Sequence, residues 1–203
     1  MVSAGGGAVG AGLLRAVLAA KPRSRFGHLR WHVLAGTNIG AEAFARLQRD
    51  ADPGTVVERA RADFPALLSR ALVSVSQAGY NTVLDVVRSG ARPVLVPYAE
   101  HGETEQSTRA MRMHDLGLAV VVDGADVSPA ALADAIDVAG ARDQWPRWEF
   151  DCDGAARTAA IVAGMLGNAA AVRADIVGPA SAGRSGVHIH KPPEGDPTGR
   201  SGA

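Results

Sequence analysis

The sequence predicts an α/β fold, a doubly wound, Rossmann-like parallel sheet of about six strands. Three observations predict it. Short apolar runs and helix-period segments alternate about six times, and such alternation builds right-handed βα units. Alanine, valine, leucine and glycine dominate while aromatic residues are only 4%, which suits helices packed closely on a parallel sheet. Hydrophobic residues make up 47% of the 203, enough to bury a real core.

The elements follow in order. Val2-Ser3-Ala4 reads as the end of a buried strand. Gly5-Gly6-Gly7 comes next, then a helix from about Ala8 to Ala20 with Val9, Leu13, Val17 and Leu18 on one side. Pro22 closes it. Trp31 to Ala35 is a second strand, Ala41 to Arg49 a weaker helix, and Val56-Val57 a short strand. Asp63 is placed to cap a brief helix from Pro65 to Arg70, since Asp is a good N-cap and Pro is tolerated in a first turn. Leu72 to Val75 is a strand, and the helix holding Thr82 to Ser89 ends at Gly90. Pro93 to Val96 is a strand, Pro97 to Glu103 a loop, and Thr104 to Leu116 a helix stopped by Gly117. Leu118 to Val122 is the last strand. Ser128-Pro129 opens a helix that Gly140 ends, and a final helix spans Gly154 to Leu166. Trp145, Trp148 and Phe150 are expected to pack that helix on the domain. Residues 1–167 form the domain. Residues 168–203 form a Gly/Pro/Ser-rich tail that is expected to be disordered, its composition changing most sharply at Gly178.

The charge balance excludes one class of partner. There are 21 basic and 21 acidic residues, so no basic field exists to hold a nucleic-acid backbone. Cys152 stands alone, which excludes an intrachain disulfide and a cysteine-based zinc site and fits a reducing, cytoplasmic setting. No apolar run is long enough to span a bilayer, and no signal peptide precedes Gly5. The first strand starts at residue 1 or 2 without a lead-in.

Two glycine-containing turns carry the candidate chemistry. Gly5-Gly6-Gly7 sits between strand and helix, where backbone approaches a phosphate closely and a helix N-terminus offers free N–H groups. It matches neither GxGxxG nor GxxxxGK[ST], and a plain tight βα turn accounts for it equally well. Ser76-Gln77-Ala78-Gly79-Tyr80-Asn81-Thr82 again joins strand to helix. Its backbone N–H groups from Gly79 to Asn81, with the Ser76, Asn81 and Thr82 side chains, suit an anion. Asp85 lies three residues after Thr82 on the same helix face. A carboxylate there suits vicinal ribose hydroxyls. Against that stands simple capping by Asn81 or Thr82 with a solvated Asp85. His101, Glu103 and Glu105 form a poor metal signal in one loop, and His188 and His190 a poorer one, so no metal and no cofactor are expected.

The run SQAGYNTVLD…G…P…EQ resembles the donor-binding signature of GT-B glycosyltransferases, the HCGWNSTLE…G…P…DQ pattern. The spacing from Gly79 to Asp85 and the helix-ending Gly90 agree with it. The loop from Pro97 to Gln106 is longer, and closer to the family-28 type, which includes the UDP-GlcNAc transferase of lipid II synthesis. That type has a GG-rich first loop and a PF…H…QQ segment, matched by Pro97-Tyr98, His101 and Glu105-Gln106. The resemblance covers residues 2–166 and implies the C-terminal half of a GT-B fold.

The resemblance also implies roles. Gly5, Gly6, Gly7, Ser76, Gly79, Asn81 and Thr82 would surround the diphosphate of a UDP-sugar. Asp85 would bind the ribose, and Arg61 would lie on the base side. His101, Glu105 and Gln106 would hold the sugar. Gln77 replaces the signature's histidine, and Glu105 replaces one of two paired glutamines. The acceptor site and the general base would belong to an N-terminal half or partner subunit, so no catalytic residue is assigned here. A lipid acceptor would bring peripheral membrane contact. A nucleotide-sugar epimerase-like domain and a non-catalytic nucleotide-sugar-binding module remain as alternatives.

Overall fold

The computed structural model describes residues 1–4, 10–98, 104–146 and 154–177. They divide into two compact units, residues 1–149 and 150–203. The first holds a sheet of six parallel strands in the order β3-β2-β1-β4-β5-β6. The strands are β1 (Val2–Ser3), β2 (Trp31–Ala35), β3 (Thr55–Arg59), β4 (Val73–Ser76), β5 (Arg92–Leu95) and β6 (Val120–Val121). The helices are α1 (Ala11–Ala20), α2 (Ala41–Asp50), α3 (Phe64–Leu68), α4 (Tyr80–Ser89), α5 (Glu105–Asp115) and α6 (Pro129–Ala141). The expected doubly wound parallel fold is therefore present.

Alternate strand residues face two separate cores, because side chains on a strand alternate with period two. Val33, Val57, Val75 and Val94 point to the side where Leu13, Leu14 and Val17 of α1, Leu47 of α2 and Leu132 and Ile136 of α6 are buried. Leu95 points the other way, against Val83 of α4, Ala110 and Met113 of α5, and Leu118. The same opposite face also buries the hydroxyls of Ser3, Ser74 and Ser76, none of which has a hydrogen-bond partner. Buried water commonly satisfies such groups. At the foot of β1 the Met1 ammonium donates to the Val73 carbonyl at 3.0 Å, and burial lowers its pKa to about 6.

Helix ends follow local chemistry with informative exceptions. Gly90 and Gly117 adopt positive φ of 77° and 71° after α4 and α5, the conformation that glycine tolerates best. The Ser128 side chain accepts a hydrogen bond from the Ala131 N–H, and Pro129 occupies the first turn of α6. Gly140 does not end α6, which runs on through Ala141. Its role is close packing, since a Cβ there would lie 2.2 Å from the Phe26 ring. Asp63 stands at the N-cap of α3 but makes no capping bond. Its carboxylate is taken by Arg61 instead.

The second unit is described by helix α7 (Gly154–Val177). It runs past Leu166 into the segment expected to begin a disordered tail. Residues 168–177 (NAAAVRADIV) are rich in helix-favouring alanine and carry no glycine or proline to stop it. Ile161, Val162, Met165 and Leu166 make an exposed apolar stripe on it. Trp145 packs on the main core of the first unit, under the Arg142 guanidinium at 4.9 Å. Trp148, Phe150, Cys152 and residues 178–203 lie outside the described residues.

Candidate functional site

Ligands of open parallel sheets bind beyond the carboxyl ends of the strands, where the strand order reverses. Here the order reverses between β1 and β4, which lie side by side with Ser3 opposite Ser76. The segments singled out in the sequence follow these two strands in the chain. Gly5, Gly6 and Gly7 lie outside the described residues, but their flanks do not. Ala4 ends β1, and Gly10 stands at the N-cap of α1. A Cβ at Gly10 would lie 2.3 Å from the Ala4 Cβ and 2.8 Å from its carbonyl oxygen. Gly10 thus lets helix and strand touch, the packing role of the last glycine in dinucleotide-binding turns. Sequence reasoning passed over it. A fourth glycine three residues after Gly7 was the available signal.

The second turn is Gln77-Ala78-Gly79, leading into α4. Ser76 belongs to β4 itself and is fully buried. Its hydroxyl lies inside the fold and is not presented on the open turn as the diphosphate role assumed. Gly79 is the N-cap residue of α4, with φ −62° and ψ 145° and no side-chain capping bond. That conformation is open to any residue. A Cβ at Gly79 would meet only Thr82 Oγ1, at 3.8 Å. Neither the backbone nor the packing requires glycine at this position. Asn81 is exposed, and Thr82 and Asp85 are half-buried on α4. Neither Asn81 nor Thr82 caps the helix, so the capping alternative does not describe this helix start.

The third component is the start of α5. The Gln106 Oε1 accepts a hydrogen bond from the Tyr98 N–H at 3.2 Å, tying α5 to the segment that follows β5. Glu105 is largely exposed on the first turn. Arg109, one turn on, donates to the Ala78 carbonyl at 2.6 Å. His101 and Glu103 lie outside the described residues, as does the centre of their loop. Among the described residues no group of three His, Cys, Asp or Glu side chains is arranged to hold a metal ion.

Arg61 follows β3 at the sheet edge, two strands out from β1. Its guanidinium donates through Nε and Nη2 to the two Asp63 carboxylate oxygens, both at 2.8 Å, and through Nη1 to Glu58 at 2.9 Å. The His32 ring lies 3.1 Å from the same Glu58 oxygen. Hydrogen bonding from Arg61 holds both carboxyls below their usual range, and the two carboxylates raise the Arg61 pKa in turn. The sign of the pH dependence follows. A depressed folded pKa contributes stability above the unfolded pKa, and that stability is lost as pH falls through the folded value. Carboxyl-carbon NMR titration should therefore show Glu58 and Asp63 protonating below ordinary exposed carboxylates. Arg61→Ala should move both upward.

Comparison with known proteins places this geometry in a family. Residues 1–144 match the glycosyltransferase family 28 C-terminal domain. The chain belongs to that family. The chain is 29% identical over 72 residues to the UDP-N-acetylglucosamine–N-acetylmuramyl-(pentapeptide) pyrophosphoryl-undecaprenol N-acetylglucosamine transferase of Thermotoga maritima. That stretch is 36% of this chain and 21% of the relative. The homologous enzyme of Thermotoga neapolitana is 32% identical over 68 residues, 34% of this chain and 20% of the relative. The chain thus matches about a fifth of these curated relatives' length. Among solved structures, the fold of the family 28 domain resembles CalG4, the calicheamicin glycosyltransferase (TM-score 0.55, 24% identity, 70% of this chain and 34% of that one). It also resembles Acinetobacter baumannii MurG (0.53, 20%, 68% and 40%). A third likeness is VinC in complex with dTDP (0.52, 22%, 70% and 33%). These are GT-B glycosyltransferases, and the family 28 domain has the architecture of one half of that fold. No helix among its described residues is long and apolar enough to cross a membrane.

Proposed function

We propose that this family 28 domain is the nucleotide-sugar-binding half of a hexosyltransferase, with a UDP-sugar as donor. The acceptor and the general base belong to an N-terminal half or partner subunit. Transfer requires that partner, and the domain alone binds without turnover.

The observation that supports this reading most is Gly79. It sits at an uncapped helix start beside the strand-order reversal, and nothing in the fold needs a glycine there. The missing Cβ leaves room for an oxygen-rich ligand to reach the free N–H groups of α4. The diphosphate then rests on Gly79, Asn81 and Thr82, and Gly5, Gly6 and Gly7 are assigned to it as well. Asp85 accepts from the ribose hydroxyls one turn on. Arg61, fixed by its two carboxylates, borders the base side. His101, Glu105 and Gln106 receive the sugar hydroxyls. The Thermotoga enzymes are named for a UDP-sugar and an undecaprenol-linked acceptor, and VinC was solved with a nucleoside diphosphate. An acceptor of that lipid class would bring the domain to the cytoplasmic membrane surface.

Calorimetry of the full chain with UDP and UDP-GlcNAc tests the proposal. Saturable binding is expected, and a folded sample that binds neither rejects it. Gly79→Ala should leave stability within about 1 kcal/mol, because its backbone is ordinary and uncrowded, yet reduce affinity at least about tenfold. Asp85→Ala should weaken binding by about 1–3 kcal/mol, the cost of leaving ligand hydroxyls unpaired.

A further inference from the structure

The proposed donor site is assembled from separate elements, and their spacing needs a fixed reference. The turn before α4 offers N–H groups, while the first turn of α5 offers Glu105 and Gln106. One side chain touches both. The Arg109 side chain is three-quarters buried, and its guanidinium donates to the Ala78 carbonyl at 2.6 Å. Its other terminal nitrogen lies 3.8 Å from a Glu105 carboxylate oxygen. Its central carbon stands 5.7 Å from the ring centre of Tyr80, the exposed first residue of α4.

We propose that Arg109 is a positioning residue that aims the Gly79 N–H and sets the spacing between the α4 turn and Glu105. This inference rests on the donor-site reading above. A trans peptide is planar, with its C=O and N–H pointing in opposite directions. The N–H in the plane of the Ala78 carbonyl is that of Gly79. Holding the carbonyl therefore fixes the direction of this N–H, at the helix start where an anion would rest. Glycine leaves that plane freer than any other residue would, so the turn needs an external hold. The same guanidinium keeps Glu105 on the Arg109 side of α5 by an i,i+4 pairing. The planar fork serves both contacts at once, which a lysine ammonium does less well.

The full chain is titrated with UDP and with UDP-GlcNAc for the wild type, Arg109→Met and Arg109→Lys, and the order parameter of the Gly79 N–H is followed by NMR relaxation without ligand. Methionine keeps an unbranched stem against Tyr80, which protects folding. Arg109→Met should lower the Gly79 order parameter and weaken both ligands about tenfold. Arg109→Lys should restore UDP affinity by donating to Ala78, but not the extra affinity that the sugar provides. An unchanged Gly79 order parameter and unchanged affinities in Arg109→Met, whatever its melting temperature, overturn the inference and leave the donor-site reading intact. A wild type that binds neither ligand overturns the donor-site reading. In that case a lowered Gly79 order parameter in Arg109→Met still upholds the hold on the peptide plane, and an unchanged one overturns it too.

Discussion

Gly10→Val is expected to destabilise the domain by about 3 kcal/mol, the upper end of the usual cost of overpacking. The reason is where the new atoms must go. The first of them, Cβ, would fall 2.3 Å from the Ala4 Cβ and 2.8 Å from the Ala4 carbonyl oxygen. Ala4 is fully buried and directly follows β1, which is paired on both sides. A flexible side chain could swing away, but a central-sheet backbone cannot do so without disturbing its neighbours. Helix α1 must therefore withdraw from β1. Urea denaturation reads the loss as a lower midpoint at unchanged slope. Gly12→Ala is the control in the same helix. Gly12 is exposed and has nothing within 4 Å of its Cβ position, so that variant should gain about 0.5–1 kcal/mol from helix propensity. Equal midpoints for Gly10→Val and wild type would show that α1 does not rest on β1 as described.

What the sequence made legible was governed by neighbours along the chain. Strand β2 has the expected bounds because a compact apolar run, Trp31 to Ala35, ends at Gly36. Gly90, Gly117 and the Ser128-Pro129 pair act through their own backbone geometry, so position alone identifies them. The places of Gly79 and Asp85 at and along α4 were legible for the same reason, since they depend only on the start and pitch of that helix. The misplaced readings share a different cause. Gly140 answers to Phe26, more than a hundred residues earlier, and no local signal announces that ring. Asp63 has the composition of a cap, but Arg61 competes for its carboxylate with two parallel hydrogen bonds. Ser76 reads as a turn residue until the register with Leu95 extends β4 by one position and buries it. Gly10 and Arg109 act only where elements meet, so spacing within either element could not reveal them.

Leu14→Ala supplies the complementary result, a large loss of stability without a loss of donor recognition. Leu14 is fully buried in the core between α1, the sheet and α6. Removing its branched side chain forfeits transfer free energy and leaves a void that close packing cannot fill, about 3 kcal/mol in typical cases. Leu14 lies one turn along α1 from Gly10, while the contact that seats the start of the helix is between Gly10 and Ala4. The donor turns should therefore keep their places in every molecule that remains folded. Nucleotide-sugar affinity corrected for the folded fraction should match the wild type, and saturating ligand should recover stability by RT ln(1 + [L]/Kd) in both proteins alike. Gly79→Ala has the opposite pattern, with stability kept and affinity lost. A parallel fall of affinity in Leu14→Ala would instead mean that the depth of α1 in the core tunes donor binding, and scaffold and site would no longer be separable in this fold.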